Sequence, residues 1–287
     1  MTPRACPACA SSRELSFHEE VRDPAAGGAF RLYRCGACGL AFADPREPAG
    51  ADWYEKAAAL EPPPAPRAAP PEGAKSLALG WRDLAAAVAL PLKEYDAAVL
   101  DGALEHAPEP REFLGAVKRA LKRGGRLTAV VPNDARPSFL GREPGDAPPR
   151  RVTRWTERSL RAFLDAEGFR VVSVSAPGPS ARWFAERIFD GRILPLAESA
   201  AVRVLFGPDA RGDLRSLYAA GAAARSAAPP DGLKGFFADP RRRASWTAVL
   251  RAACAPVVWP SAAVLSLVFA AGRGRGERLV ADAVLGS

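Results

Sequence analysis

Lysine is scarce: only six of the forty lysine and arginine side chains are lysine, at positions 56, 75, 93, 118, 122 and 234. The formal net charge of +8 is therefore carried by arginine, and the enrichment in arginine, alanine and proline runs along the whole chain. A charge spread in this way reads as compositional bias and not as a phosphate-tracking stripe. The densest cluster, Arg241-Arg242-Arg243, is a single triplet, and no nucleic-acid partner is expected. Met1 to Cys9 has no apolar stretch of the kind that heads a secretory signal, so the expectation is a cytoplasmic protein. Charge is missing altogether from Ala252 to Ala271, and about 20 residues is the length of a membrane-spanning helix. That stretch is rich in alanine and serine and carries Pro256 and Pro260, which predicts a buried loop, a short helix and a strand, with peripheral membrane contact left open. With 48% hydrophobic and 25% charged residues, the 287-residue chain can bury a substantial core.

Four of the five cysteines form two Cys-x-x-Cys pairs, Cys6-Pro-Ala-Cys9 and Cys35-Gly-Ala-Cys38. Two residues between thiols let both sulfurs reach one tetrahedral ion about 2.3 Å away. Gly36 and Gly39 relieve the second turn, where backbone must pass close to the metal. Phe30 to Arg34 alternates as a strand entering that turn, and Leu40 to Phe42 leaves it as another, the pattern of a zinc ribbon. The longer stretch between the pairs predicts an extra hairpin or loop over residues 16–29, with Gly27-Gly28 at its tip. Two disulfides or redox pairs are the alternative, which a cytoplasmic setting and the absence of a thioredoxin-like pattern disfavour. Four protein thiolates leave no open coordination position, so the expected zinc is structural. Cys254 stands alone in apolar sequence and reads as a core residue.

Beyond the ribbon, residues 61–71 are too rich in proline for helix or sheet and read as an extended spacer. A short apolar run, Ser76 to Leu79, precedes a predicted helix over Arg82 to Leu90. Asp96 to Leu100 then reads as a strand and Asp101 to Ala107 as a loop. Pro108 and Pro110 open a helix with Phe113, Leu114, Val117 and Leu121 on one face. Gly124-Gly125 is expected to end that helix, and Leu127 to Val131 to form the next strand. A second helix carries Leu160, Phe163 and Leu164, ends at Gly168, and leads to a strand over Phe169 to Val174. This alternation predicts an α/β sheet with crossover helices. Residues 181–250 read as mostly helical, and Arg278 to Leu285 as a final strand.

The run Glu94 to Pro110, with Leu121-Lys-Arg-Gly-Gly-Arg-Leu127 and Val131-Pro-Asn133, resembles class I S-adenosylmethionine-dependent methyltransferases. Trp155 to Phe169 resembles the next helix-strand unit of that family, and a four-cysteine ribbon ending in Cys38-Gly-Leu-Ala-Phe-Ala-Asp-Pro-Arg46 resembles one branch of it, which includes enzymes acting on sugars and other small molecules. The resemblance implies an N-terminal zinc ribbon over 1–48, a proline-rich linker over 49–75, and an incomplete Rossmann-like methyltransferase core over 76–180. A mostly helical region over 181–260 and a C-terminal hairpin or strand over 261–287 complete the expected α/β architecture. The family's glycine-rich cofactor turn and its ribose-binding acid are absent from residues 72–95, so the cofactor half is expected to be deleted or cut to one unit. Gly272-Arg-Gly-Arg-Gly276 mimics such a turn, but its arginines would crowd a positively charged sulfonium.

By resemblance, His106 and Glu105 are the candidate catalytic pair at a strand's carboxyl end, with His106 as general base. Alternatively the two merely order the loop. Asp101 and Asp83 are the candidate cofactor ligands, and Asn133 either faces substrate or closes its strand. His18 is expected to be exposed. Two functions are compatible with these residues. One is an S-adenosylmethionine-dependent methyltransferase acting on a small molecule, its cofactor site completed by another chain. The other is a degenerate member serving as a scaffold or partner subunit. Loss of the cofactor half would leave Ser76 to Leu79 near an open sheet edge, so a homo-oligomer or protein partner is expected there.

Overall fold

A computed structural model of the chain describes residues 5–22, 29–44, 73–137, 146, 148, 150–206, 240–270 and 276–286. The tip at Gly27-Gly28, the linker up to residue 72 and the glycine-arginine run over 271–275 lie outside them.

The ribbon begins as an antiparallel hairpin, β1 (Leu15–Arg22) with β2 (Ala29–Cys35), to which β3 (Ala41–Asp44) adds. Its sheet does not end there. A two-residue strand from the middle of the chain, β7 (Thr153–Arg154), pairs with β3, and the Ala43 N–H donates to the Val152 carbonyl.

The second sheet runs β4 (Ser76–Leu79), β5 (Tyr95–Asp101), β6 (Leu121–Pro132), β9 (Arg278–Leu285), β8 (Phe169–Ser175). β4, β5 and β6 are parallel, and the last strand inserts antiparallel between β6 and β8. The unbroken apolar run Ala97–Leu100 fits this place, since a strand between parallel neighbours is covered on both faces. Helix α1 (Pro110–Ala120) crosses from β5 to β6 with Phe113, Leu114 and Val117 buried. It stops one residue before the expected face residue Leu121, which is already extended. Gly124-Gly125 does not end the helix. It makes a tight excursion inside β6, where pairing jumps from Leu121 to Arg126 and Gly124 takes φ +68°. Helix α2 (Glu157–Ala166), capped by Thr156, leads into β8. The helix expected over 82–90 is two short 3-10 turns, Trp81–Asp83 and Ala86–Ala89.

Ribbon and sheet share one core. Cys6, Cys35, Cys38, Leu40 and Phe42 belong to the same buried cluster as Leu100, Leu104, Trp155, Leu160 and Phe163. Trp155 is fully buried, stacks 5.1 Å from Phe163 and donates its indole N–H to Thr153 Oγ1. The Arg158 guanidinium donates to the Ala37 carbonyl at the second cysteine turn, and Arg34 pairs with Asp134. The described ribbon strands and the five-stranded sheet thus lie in one compact unit around one core.

A second compact unit, containing Pro179–Ala271, is helical among its described residues: α3 (Ala181–Ile188), a π turn (Phe189–Ile193), α4 (Leu194–Phe206) and α5 (Pro240–Ala270). The loop, short helix and strand expected over 252–271 are instead one helix running through Pro256 and Pro260, and it extends into the range assigned to the terminal hairpin. Trp183 and Phe184 of α3 pack on Val258 and Ala262 of α5.

Because the thiols belong to the sheet's core, losing the metal should be felt far from it. Structural zinc contributes about 10–16 kcal/mol, comparable to a domain's whole net stability of about 5–15 kcal/mol. Cys35→Ser in the full chain is therefore expected to strip hydrogen-exchange protection from β5 and β6 as well as β2. Wild-type protection of β5 and β6 in that variant would show two separately folding parts.

Candidate functional site

The two cysteine turns are built alike. In each, the residue after the second cysteine donates back to the first: Ala10 N–H to the Cys6 carbonyl and Gly39 N–H to the Cys35 carbonyl. Both occupy the left-handed region, Gly39 at φ +84° and Ala10 at φ +58°, so Ala10 adopts there a conformation that glycine takes without cost. Gly36 is favoured by space, since a Cβ there would lie 2.9 Å from Glu14 Cβ and 3.3 Å from the Glu14 carbonyl.

The four sulfurs lie within 4.8 Å of one another, with Cys6–Cys38 at 3.7 Å and Cys9–Cys35 at 3.6 Å. An ion bonded at about 2.3 Å to four sulfurs sets tetrahedron edges of about 3.8 Å, so the donor set fits zinc. The sulfur contact pulls the Cys6 thiol down to about 5 and pushes Cys38 up, and burial raises Cys9. Four thiolates this close need a divalent cation among them.

The other candidate residues gather at the carboxyl ends of β4 and β5, where open α/β sheets place ligands. The 3-10 turn Leu104–His106 follows β5, and residues 150–155 lie across it. Val152 N–H donates to the Glu105 carbonyl, Thr153 Oγ1 to the Leu104 carbonyl, and His106 Nδ1 bonds the Arg150 carbonyl. Burial, reinforced by the Arg151 and Arg150 charges, holds the His106 imidazole down to about 3. It is therefore neutral at physiological pH and a poor proton acceptor, which weighs against the general-base role implied by resemblance. Its ring lies 6.2 Å from that of Trp81, the first residue of the turn after β4, so two aromatic rings span the β4 and β5 ends.

Glu105 is 3% exposed, and its Oε2 is buried without a hydrogen-bond partner. Burial pushes its carboxyl up to about 6, opposed by the charges of Arg151 and Arg278 and aided by Asp101. Asp101 itself is paired with Arg278 of β9 at 3.2 Å. Asp83 accepts the Gly80 N–H at 2.8 Å and so caps its own turn. Asn133 is fully buried, donates to the Gly276 carbonyl and accepts from Ala135 N–H, and thereby closes the end of β6. His18 is exposed, beside Arg34. Sequence reasoning brought His106, Glu105 and Asp101 to one strand end but missed Trp81, Arg278 and the 150–155 cover. Only the position of Trp81, directly after the glycine that ends β4, was a local signal.

Residues 32–174, about half of the chain, match the profile of the methyltransferase domain family. No curated protein matches the chain. Among solved structures it is similar to the [4+2]-cyclase SpnF, at 17% identity over 68% of this chain and 51% of that one, with a TM-score of 0.31. It is also similar to a SAM-dependent methyltransferase from Archaeoglobus fulgidus (13% identity, 70% and 64% covered, TM-score 0.33). A third is phosphoethanolamine N-methyltransferase 2 from Haemonchus contortus in complex with S-adenosyl-L-methionine (10%, 69% and 35%, TM-score 0.33). The chain spans less than two thirds of the length of each.

Two outcomes are expected. Elemental analysis of freshly purified, reduced protein should find one zinc per chain, and its absence would refute the thiolate centre. For Glu105, a folded-state pKa of about 6 lies above the ordinary 4.5. The folded chain then holds the proton more tightly, so this group's contribution to stability falls as pH rises through that window. At about 1.4 kcal/mol per unit, the penalty above it is about 2 kcal/mol. Glu105→Gln should therefore be more stable than the parent by about that amount in urea at neutral pH, and equal to it below the window. A constant offset at both pH values would refute the assignment.

Proposed function

The chain belongs, through residues 32–174, to the S-adenosylmethionine-dependent methyltransferase family, and from that premise we propose a degenerate member that does not bind the cofactor alone and serves as a zinc-stabilised binding subunit. One observation carries the reading. β4 and β5 are adjacent parallel strands joined by residues 80–94 alone, so no further strand intervenes where the family's cofactor half would be threaded.

The residues at the strand ends do not fit the cofactor. Gly80 is extended at φ −113°, and a Cβ there would meet the Asp101 carbonyl at an ordinary 3.5 Å, so this glycine is no bare cradle. Asp83 and Asp101, the candidate ligands, are engaged by Gly80 and Arg278. Trp81 and His106 stand across the gap. In this reading His106 and Asn133 order the strand ends, and the zinc-ribbon unit faces the cytoplasm.

A partner is expected at β4, which ends the sheet order among the described residues and turns Ala78 outward. An unpaired strand edge invites pairing with another chain, here a second copy or a different protein. A second reading, an active small-molecule methyltransferase whose cofactor site that partner completes, is favoured by one feature. Glu105 is a buried carboxyl at the strand end with an unpartnered oxygen and a pKa near neutrality, suited to exchanging a proton with a substrate once the site is whole.

Calorimetry separates the readings. Each missing charge-assisted hydrogen bond costs about 1.5–3 kcal/mol, so losing the glycine turn and the ribose carboxylate takes a micromolar site to millimolar or weaker. The isolated chain should show no S-adenosylmethionine binding at about 100-fold above a micromolar affinity. Micromolar binding would overturn the degenerate reading, and binding that appears only with a partner present would establish the second.

A further inference from the structure

We propose that helix α5 lies immersed side-on in one leaflet of a lipid bilayer, with α3 as its water-facing cover. The most apolar 18-residue window within Ala244–Phe269 has a mean hydropathy of 1.8, yet only 11% of that window is buried. Ala252 to Phe269 carries no charge, and in sequence Arg251 precedes this stretch and Arg273 follows it. A helix apolar on all sides belongs in a protein interior or in lipid. This one is not interior: Val249, Val257, Trp259, Val264, Leu267 and Val268 are all exposed. At 3.6 residues per turn these positions span about half of the helix circumference. A second copy packed helix to helix would cover only a narrow seam, whereas a lipid phase solvates the whole surface.

The partner helix decides the orientation. α3 runs antiparallel beside α5: Asp190 pairs with Arg251 at 2.8 Å, and Ser266 Oγ donates to the Pro179 carbonyl at 2.9 Å. Between these tie points α3 carries the exposed pair Arg182–Glu186 at 2.8 Å. Were α5 to cross the bilayer, these charges would lie in hydrocarbon beside it, which is expensive. Side-on immersion keeps them in water. The chain enters this unit after β8 and leaves it into β9, strands that pair with each other, so one crossing by α5 would need a second to return. In sequence the Arg241-Arg242-Arg243 triplet precedes the apolar stretch, a composition that favours anionic headgroups.

The test is flotation of the full chain, carried through detergent removal, with vesicles of phosphatidylcholine alone or mixed with phosphatidylglycerol. Flotation with both is expected, greater with the anionic lipid and persisting in high salt. Acyl-brominated lipid should quench the tryptophan emission, and Trp259→Phe should remove most of that quenching. The double variant Val264→Glu/Leu267→Glu should float about tenfold less while keeping its zinc, which shows that the rest of the chain is folded. Three results would each overturn the proposal. One is a chain left at the bottom with both vesicles. Another is binding abolished by salt. The third is protease cleavage within residues 207–239 only from the side of the bilayer opposite the zinc ribbon.

Discussion

Four sulfurs within 4.8 Å of one another set the terms for the unit that holds both the ribbon and the five-stranded sheet. Burial alone pushes thiols toward the protonated state, and four thiolates this close repel. A divalent cation resolves both problems, and the cost of its absence falls on more than the ribbon. Leu40 and Phe42, placed by the second cysteine turn, are fully buried against the core that holds Trp155 and Leu160. A metal held by these four sulfurs would stand in for apolar volume that a ribbon of this size cannot supply by itself.

The segment 150–155 is where that constraint reaches the strand end. One side pairs with β3 of the ribbon, and the other bonds the Leu104 and Glu105 carbonyls. His106 is held by the same segment through the Arg150 carbonyl. The residues with family resemblance at this end are therefore clamped by the ribbon's own sheet. The imidazole and the Glu105 backbone are both held by that segment, while Glu105 Oε2 is buried without a hydrogen-bond partner.

Local pattern made much of this legible. The paired Cys-x-x-Cys turns and the β5 to β8 alternation depend on neighbours in sequence, and each was found where spacing placed it. What was not legible depends on distant partners. The cover over His106 comes from 44 residues away. The engagement of Asp101 comes from β9, 177 residues on. The helix boundary at Ala120 was misjudged because a glycine pair usually ends helices, whereas here it makes an excursion within a strand. α5 was misread for a similar reason, since Pro256 and Pro260 signal a break in water but are tolerated where neighbouring groups or apolar surroundings limit the alternatives.

The position of β9 has a consequence for how the chain comes into being. The last strand wedges between β6 and β8, and it is preceded by the entire helical unit. During synthesis β6 and β8 must wait as open edges while the long apolar helix emerges, and this part of the sheet closes only once β9 follows it. The nascent chain is therefore sticky in two ways at once, through unpaired strands and through bare hydrocarbon surface. Its maturation depends on what meets that helix first.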